Sequence, residues 1–483
     1  MNRSQRFTPF VEELPRGLQP VEAFQRLAGE GGVIFLDSAS TDAELGKYSF
    51  VACDPFQVVK LAHDSPVLDA THPSVEDGFT KLRAALAPFA AETLAELPPF
   101  QGGAAGLFGY DLSRRLERIG AARFDEFRTP PMVVGLYDVV VAFDHRQQRG
   151  WVISQGFPEQ NPVRRGNRAA ARGRRMLERL SNDGSPTYRA TAAADSIACA
   201  QLAPQYPTTR MSDVSSNFSR DGYLRAVERV VEYIHAGDIF QANLSQRLLK
   251  PASCSPVDLY LRLRERNPAS FAAFFDMGAF QLVSASPERL VRVRDRQVEA
   301  RPIKGTRSRR HRPEADLYSQ DDLLLSDKDR AENVMIVDLL RNDLSKYCQA
   351  DSVAVTQLCA VETFQYVHHL VSAVVGRLRE GATSLDLLRG AFPGGSITGA
   401  PKVRAMEIIA KQEPTARGPY CGSLGYLGFD GALDTNILIR TITAGRGWWQ
   451  VPVGGGIVAD SDPNEEYEET WHKAEGMLRA FEP

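Results

Sequence analysis

The 483-residue chain carries almost no surplus charge: its formal net charge is only −3. That leaves no global basic field of the kind that holds nucleic acid. It also lacks any apolar run approaching the roughly 18 residues of a membrane-spanning helix. The N-terminus shows no basic, then apolar, then small-residue order of an export signal. Its six cysteines, Cys53, Cys199, Cys254, Cys348, Cys359 and Cys421, are scattered and form no CxxC pair. Such usage predicts reduced thiols and a cytoplasmic location. The eight histidines make no HExxH and no Cys/His zinc spacing. A GxxxxGK[ST] nucleotide loop is missing too.

What is present suits a large packed core: 43% of residues are hydrophobic and 24% charged. The length allows one large domain or two to three ordinary ones. The chain divides softly into 1–180, a Ser-, Pro-, Ala- and Thr-rich connector at 181–216, and 217–483. In the first part, 32–36, 49–51, 133–143 and 151–154 read as strands and 171–180 as helix. Arg168, Arg172, Arg174 and Arg175 read as a solvated helix face, with an anion site as the alternative.

In the second part, Tyr223, Val227, Val230, Val231 and Ile234 recur at helical spacing until Gly237. Strands are expected at 240–249, 271–275, 280–284 and 367–378. Helices are expected at 326–340, followed by a polar turn at Asn342-Asp343, and from 385 to the turn beginning at Phe392. No regular βαβ period appears. An α+β fold of mixed sheets and helices follows, in two closely packed subdomains.

Several residues carry possible chemistry. Lys304 stands between Ile303 and Gly305 after an alternating strand. It is either a surface lysine at a strand end or a nucleophile at the floor of a pocket. The turn from Gly394 to Lys402 precedes a helix expected at 403–410. Its backbone amides could hold a carboxylate, or the turn could serve packing alone. Gly454-Gly455-Gly456 invites the same two readings. Asp329 and Glu332 stand three apart, as do Glu466 and Glu469, so each pair shares one side of a helix. The second helix has a start at Asp462, Pro463 and Glu465. Two pairs of hard oxygen donors suit Mg2+, with solvated surface charge the competing reading of each pair alone.

Longer motifs now accumulate: 236–247, 302–306 (Pro-Ile-Lys-Gly-Thr), 331–339, 392–402 and 454–460. With Leu36-Asp37-Ser38 and Gly46-Lys47-Tyr48-Ser49, they make the chain resemble the chorismate-binding, anthranilate synthase component I-like enzymes. The resemblance covers essentially the whole chain and implies the large mixed fold of that family. Lys304 stands where anthranilate synthases usually have alanine, and so resembles the aminodeoxychorismate branch. Gln241 stands where isochorismate and salicylate synthases have a water-activating lysine, and an amide is a poor general base. The resemblance thus implies ammonia addition at C4 of chorismate, giving 4-amino-4-deoxychorismate for 4-aminobenzoate and folate synthesis. Anthranilate synthase component I is the alternative.

The same resemblance implies roles. Lys304 is the covalent nucleophile and Glu288 the general acid/base. Lys304 must be uncharged at attack, which calls for desolvation or a nearby positive charge. Glu332 and Glu469, supported by Asp329 and Glu466, would hold Mg2+. Arg440 would clamp the enolpyruvyl carboxylate with Tyr426 as its hydroxyl partner. His369, Thr398 and Gly455 would line the pocket, with Lys402 and Lys473 near the acidic site. Ser38, Lys47, Tyr48 and Ser49 would frame a tryptophan pocket between sheets. The chain has no glutaminase domain of its own, so a separate glutamine amidotransferase subunit would supply ammonia.

Overall fold

Strands rich in Val, Phe, Leu and Ala, with alternate residues facing opposite sides, assemble into two antiparallel sheets. The computed structural model describes residues 7–40, 45–182, 196–309, 312–363 and 367–482. Among these, one sheet has 13 strands. It runs from Phe10–Glu13 through Arg149–Ser154, Val139–Asp144, Tyr48–Ala52, Ile34–Asp37 and Phe271–Asp276 to Phe280–Ser286. It continues through Thr441–Gly445, Trp448–Ile457 and Gln241–Pro251 to Ser215–Ser216 and Tyr206–Pro207, with Gly399–Ala400 paired to Gln241–Pro251. The other has 10 strands. It runs from Ile303–Ser308 through Val367–Arg377, Gln297–Ala300, Arg289–Arg294 and Leu433–Asn436 to Ser423–Gly428, Gly103–Phe108, Met132–Tyr137 and Gln57–Leu61. Ala354–Thr363 pairs with Val367–Arg377 off that path.

Both sheets mix strands from either side of the 181–216 segment. Phe35 lies opposite Phe274, and Leu107 opposite Leu424. Alternation then sorts the side chains into layers. Ile34, Phe50, Ala273 and Phe275 join Ala105, Leu107 and Tyr137 in a core shared by the two sheets. Their neighbours Phe35, Val51 and Phe274 face the other way, onto helix residues Phe24, Tyr260 and Met477. On the far side of the second sheet, Ala104, Val134 and Val291 pack with Phe79, Ile336, Val337 and Leu387. Full burial of one such large apolar side chain contributes about 1.5–3 kcal/mol relative to exposure. No helix among the described residues is long and apolar enough to cross a membrane.

The expected α+β architecture with two packed sheet-and-helix subdomains is what the chain forms. Local details differ where tertiary contacts outweigh local pattern. The single strand expected at 133–143 is two, Met132–Tyr137 and Val139–Asp144, in different sheets. Buried Asp138 sits at the break, with Arg172 Nε 2.9 Å from its Oδ1. Arg172 also donates to Asp54, and Arg168 to the Phe157 carbonyl. Only Arg174 and Arg175 of that arginine run form an exposed face, which corrects the solvated-face reading. The helix expected at 326–340 spans Asp327–Ser345, capped by Ser326. Asn342 and Asp343 lie inside it, not in a turn. Asp343 is buried and accepts from Lys402 Nζ at 2.6 Å. Lys402 is thereby anchored to this helix and takes no part in the acidic site.

Two further crossings between the sheets matter more. Strand Phe280–Ser286 passes through Pro287 and Glu288 into Arg289–Arg294 of the other sheet. Strand Leu433–Asn436 returns through 437–440 to Thr441–Gly445. The two crossings are tied together. Ile437 N–H donates to the Glu288 carbonyl at 3.0 Å, and Ala285 N–H to the Arg440 carbonyl at 3.0 Å.

Candidate active site

A cavity of ≈830 Å³ opens beside these crossings. Lys304 enters it from strand Ile303–Ser308, whose pairing with Val367–Arg377 shifts register between Lys304 and Thr306. Gly305 fills the extra position at φ +73°, and a Cβ there would lie 2.7 Å from Leu323 and 2.9 Å from Asp329. A bulge of this type needs glycine and re-aims the side chains beside it. Only 14% of the Lys304 side chain is exposed, and Nζ lies 3.2 Å from Glu332 Oε2. The side chain is thus mostly buried. The nearest charged partner is a carboxylate and not the neighbouring cation that was the other expectation.

Glu288 and Arg440 project from the paired crossings. Burial pushes the Glu288 carboxyl up to about 7, against the opposing pull of Lys304 and hydrogen bonds involving Ser396 and Ile303. A carboxyl poised near neutrality can deliver and accept a proton there. Arg440 sits at φ +48°, a sparsely populated conformation for a side-chain-bearing residue. Burial lowers its pKa, and Glu288 opposes the shift. A partly desolvated guanidinium is a strong bidentate partner for a carboxylate. His369 Nδ1 lies 2.8 Å from Thr306 Oγ1. Burial first, then Arg440 and His368, lower this imidazole to about 4, so it stays neutral near pH 7.

The opposite wall is acidic. Glu332 and Asp329 come from helix Asp327–Ser345, and Glu469 from Pro463–Arg479. Gly455 lets Glu466 and Glu469 approach the strand: a Cβ there would meet an oxygen of each at 3.2 Å. Glu466 is raised by burial. Burial would raise Glu469 as well, but Lys473 outweighs it and the net shift is downward. Every one of the four carboxylates touches a cationic side chain. Glu332 meets Lys304, Glu469 meets Lys473, Glu466 meets Lys328, and Asp329 meets Arg307. No three of them converge as a ligand cluster among the described residues. Their donors are nevertheless hard oxygens, and Glu466 Oε2 is buried without a hydrogen-bond partner. That chemistry fits a divalent cation taking the place of the lysine ends.

Some expected site residues lie elsewhere. Thr398 is fully buried and donates its hydroxyl to the Gly394 carbonyl at 2.9 Å. It shapes the glycine-rich turn, while Ser396 and Ile397 border the cavity. Gln241 is buried on its strand with both amide ends unpartnered. Tyr426 is not beside Arg440. It lines a different cavity, and the aromatic hydroxyl bordering the same cavity as Arg440 belongs to Tyr420. Arg417 and Asn243 also border the catalytic cavity and were not expected. The short Arg417-Gly418-Pro419-Tyr420 stretch puts a cation and an aromatic at a Gly-Pro bend, which was the available signal.

The different cavity, ≈180 Å³, lies between the sheets and is lined in part by Ser38, Lys47 and Tyr48. Tyr426 stacks on Phe100 there, ring centroids 4.6 Å apart. Ser49 is a strut behind the wall: it is fully buried, accepts from Ser38 N–H at 3.0 Å and lies 2.8 Å from His145 Nε2.

With this geometry, a family model described as chorismate binding enzyme matches residues 34–479. The chain is 38% identical over 480 residues to anthranilate synthase component 1 of Thermus thermophilus, covering 99% of this chain and 98% of that one. It is also 38% identical over 467 residues to aminodeoxychorismate synthase component 1 of Escherichia coli, covering 95% of each. Among solved structures, anthranilate synthase component I from Streptococcus pneumoniae superposes with a TM-score of 0.75 at 32% identity, covering 96% of this chain and 99% of that one.

Proposed function

We propose that this chain, which belongs to the chorismate-binding enzyme family, aminates chorismate at C4 to give 4-amino-4-deoxychorismate. A separate glutamine amidotransferase subunit supplies the ammonia. The observation that carries the reading is Lys304, directed into the cavity that also holds a carboxyl poised at about 7. In this reading Arg440 and Tyr420 take the enolpyruvyl carboxylate. The Lys304 amine forms a bond to C2, the ring double bond shifts, and the C4–O bond breaks. Glu288 protonates the departing hydroxyl, which leaves as water. Ammonia then forms the C4–N bond, the double bond returns, the C2–N bond breaks, and the surplus proton goes to Glu288. A magnesium ion held by Glu332 and Glu469, with Asp329 and Glu466 in support, would neutralise the ring carboxylate. Lys473 donates to the Gly454 carbonyl at 3.0 Å and so steadies the acidic wall. We further assign the inter-sheet cavity to tryptophan, and the protein, with all six cysteines free of disulfides, to the cytoplasm.

Anthranilate synthase component I is the second reading, and the Thermus and Streptococcus relatives support it. Both reactions use ammonia, but only anthranilate formation also eliminates pyruvate. Chorismate, magnesium and ammonia incubated with the purified chain should yield 4-amino-4-deoxychorismate without pyruvate. Equal amounts of anthranilate and pyruvate would establish the second reading instead.

A further inference from the structure

Two helices carry the carboxylates of the acidic wall: Asp327–Ser345 bears Asp329 and Glu332, and Pro463–Arg479 bears Glu466 and Glu469. Among the described residues one ion pair joins these helices, Lys328 Nζ at 3.5 Å from Glu466 Oε1. Burial pulls the Lys328 ammonium down, but Glu466, Glu332 and Glu469 outweigh it and the net shift is upward. Glu466 is itself 3% exposed. Its Oε1 also accepts from Ser461 Oγ at 2.7 Å, whereas its Oε2 is buried with no partner. That Oε2 and Glu469 Oε1 would each lie 3.2 Å from one point, the position of a Cβ on Gly455. A buried carboxylate oxygen without a donor is costly. Here it marks a place that the lysine ends fill in part.

The three lysines of this wall are held unequally. Lys304 is mostly buried. Lys473 shares a helix with its partner Glu469 and also donates to the Gly454 carbonyl at 3.0 Å. Lys328 has its one carboxylate contact at Glu466, and 52% of its side chain is exposed. It stands in the first turn of its helix, where the positive end of the macrodipole works against an ammonium. Its flexible four-carbon stem can swing to water.

We propose that Lys328 is the placeholder of the cation site: its ammonium straps the two acidic helices together through Glu466, and a divalent cation entering among Glu332, Glu466 and Glu469 displaces it to solvent. The inference rests on the magnesium reading. Before the cation arrives, the strap offsets repulsion between the carboxylates. The exchange then puts two positive charges where there was one.

Magnesium binding is measured by calorimetry on the full chain with no chorismate present, so turnover plays no part in the readout. Lys328→Met and Lys328→Gln remove the competing charge and should bind magnesium about tenfold more tightly than the parent chain. Lys328→Arg keeps a cation at that place and should bind it no more tightly than the parent. By linkage, magnesium should also raise the melting temperature more in Lys328→Met than in the parent. Parent-like or weaker binding in both uncharged variants overturns the placeholder while the cation site stands. If the parent and both uncharged variants take up no magnesium, the cation site is overturned and the placeholder with it.

Discussion

The Lys304 cavity and the inter-sheet cavity both border a locked arginine, Arg417 on Glu413 and Arg289 on Asp434, but they differ in how the remaining charge is held. Around the inter-sheet cavity Arg289 is locked, donating to both oxygens of Asp434 at 2.9 and 3.1 Å and to Glu299 at 3.0 Å. Beside it Tyr426 stacks on Phe100 and meets Phe50 edge to face. Around the catalytic cavity the lysines and carboxylates meet as single-contact pairs, three of them with Glu332, Glu466 and Glu469. A bidentate pair fixes geometry. Single pairs on flexible lysine stems can exchange one partner for another. The first arrangement builds a shape, and the second leaves charge available to an incoming dianion or cation.

The hardest break of this comparison is Lys304→Ala. It should lower ammonia-dependent turnover by roughly three orders of magnitude or more while leaving the thermal melt in place. Tyr426→Phe, in the other cavity, should leave turnover within about twofold. Similar losses in both variants would erase the functional distinction between the cavities.

Magnesium dependence gives the next largest contrast. A chelator should stop turnover and added magnesium restore it. Glu332→Gln and Glu469→Gln should each move the magnesium activation midpoint upward by about tenfold or more. An activation curve unmoved in both variants would remove these carboxylates from any cation site.

The smallest effect is in pH dependence. With its carboxyl raised to about 7, Glu288 in the proposed role would donate a proton only below that value. With free ammonia held saturating at every pH, turnover should therefore fall as pH rises through about 7, by up to about tenfold per unit on the alkaline side. Glu288→Gln should be slower and lose this limb. An alkaline limb that persists at the same pH in Glu288→Gln would assign it to another group.

Much of the site was legible because its signals are local. Lys304 stands next to the glycine its bulge requires, and each acidic pair shares a helix face through spacing alone. Helix ends were legible where a capping residue acts, as at Ser326 and Asp462. What escaped depends on which sheet a residue joins. Tyr426 and Tyr420 stand in one chain segment, yet they border different cavities. Nothing in hydrophobic alternation announces that 133–143 changes sheets, because the run is apolar on both sides of Asp138. Arg172 looked solvated because its partners Asp54 and Asp138 are distant in sequence.

Short crossings at 53–56, at Asp138, at Pro287-Glu288 and at 437–440 act as rivets between two plates. Plates joined at several points do not swing like jaws about a ligand. Glu288 and Arg440 are carried on two of the rivets. The opposite rim is joined differently: there the Lys304 strand meets helix Asp327–Ser345 through side-chain pairs, Lys304 with Glu332 and Arg307 with Asp329. The frame is an anvil: the placement of Glu288 and Arg440 is built into the chain crossings, whereas Lys304 and the acidic residues facing it are placed by exchangeable side-chain pairs.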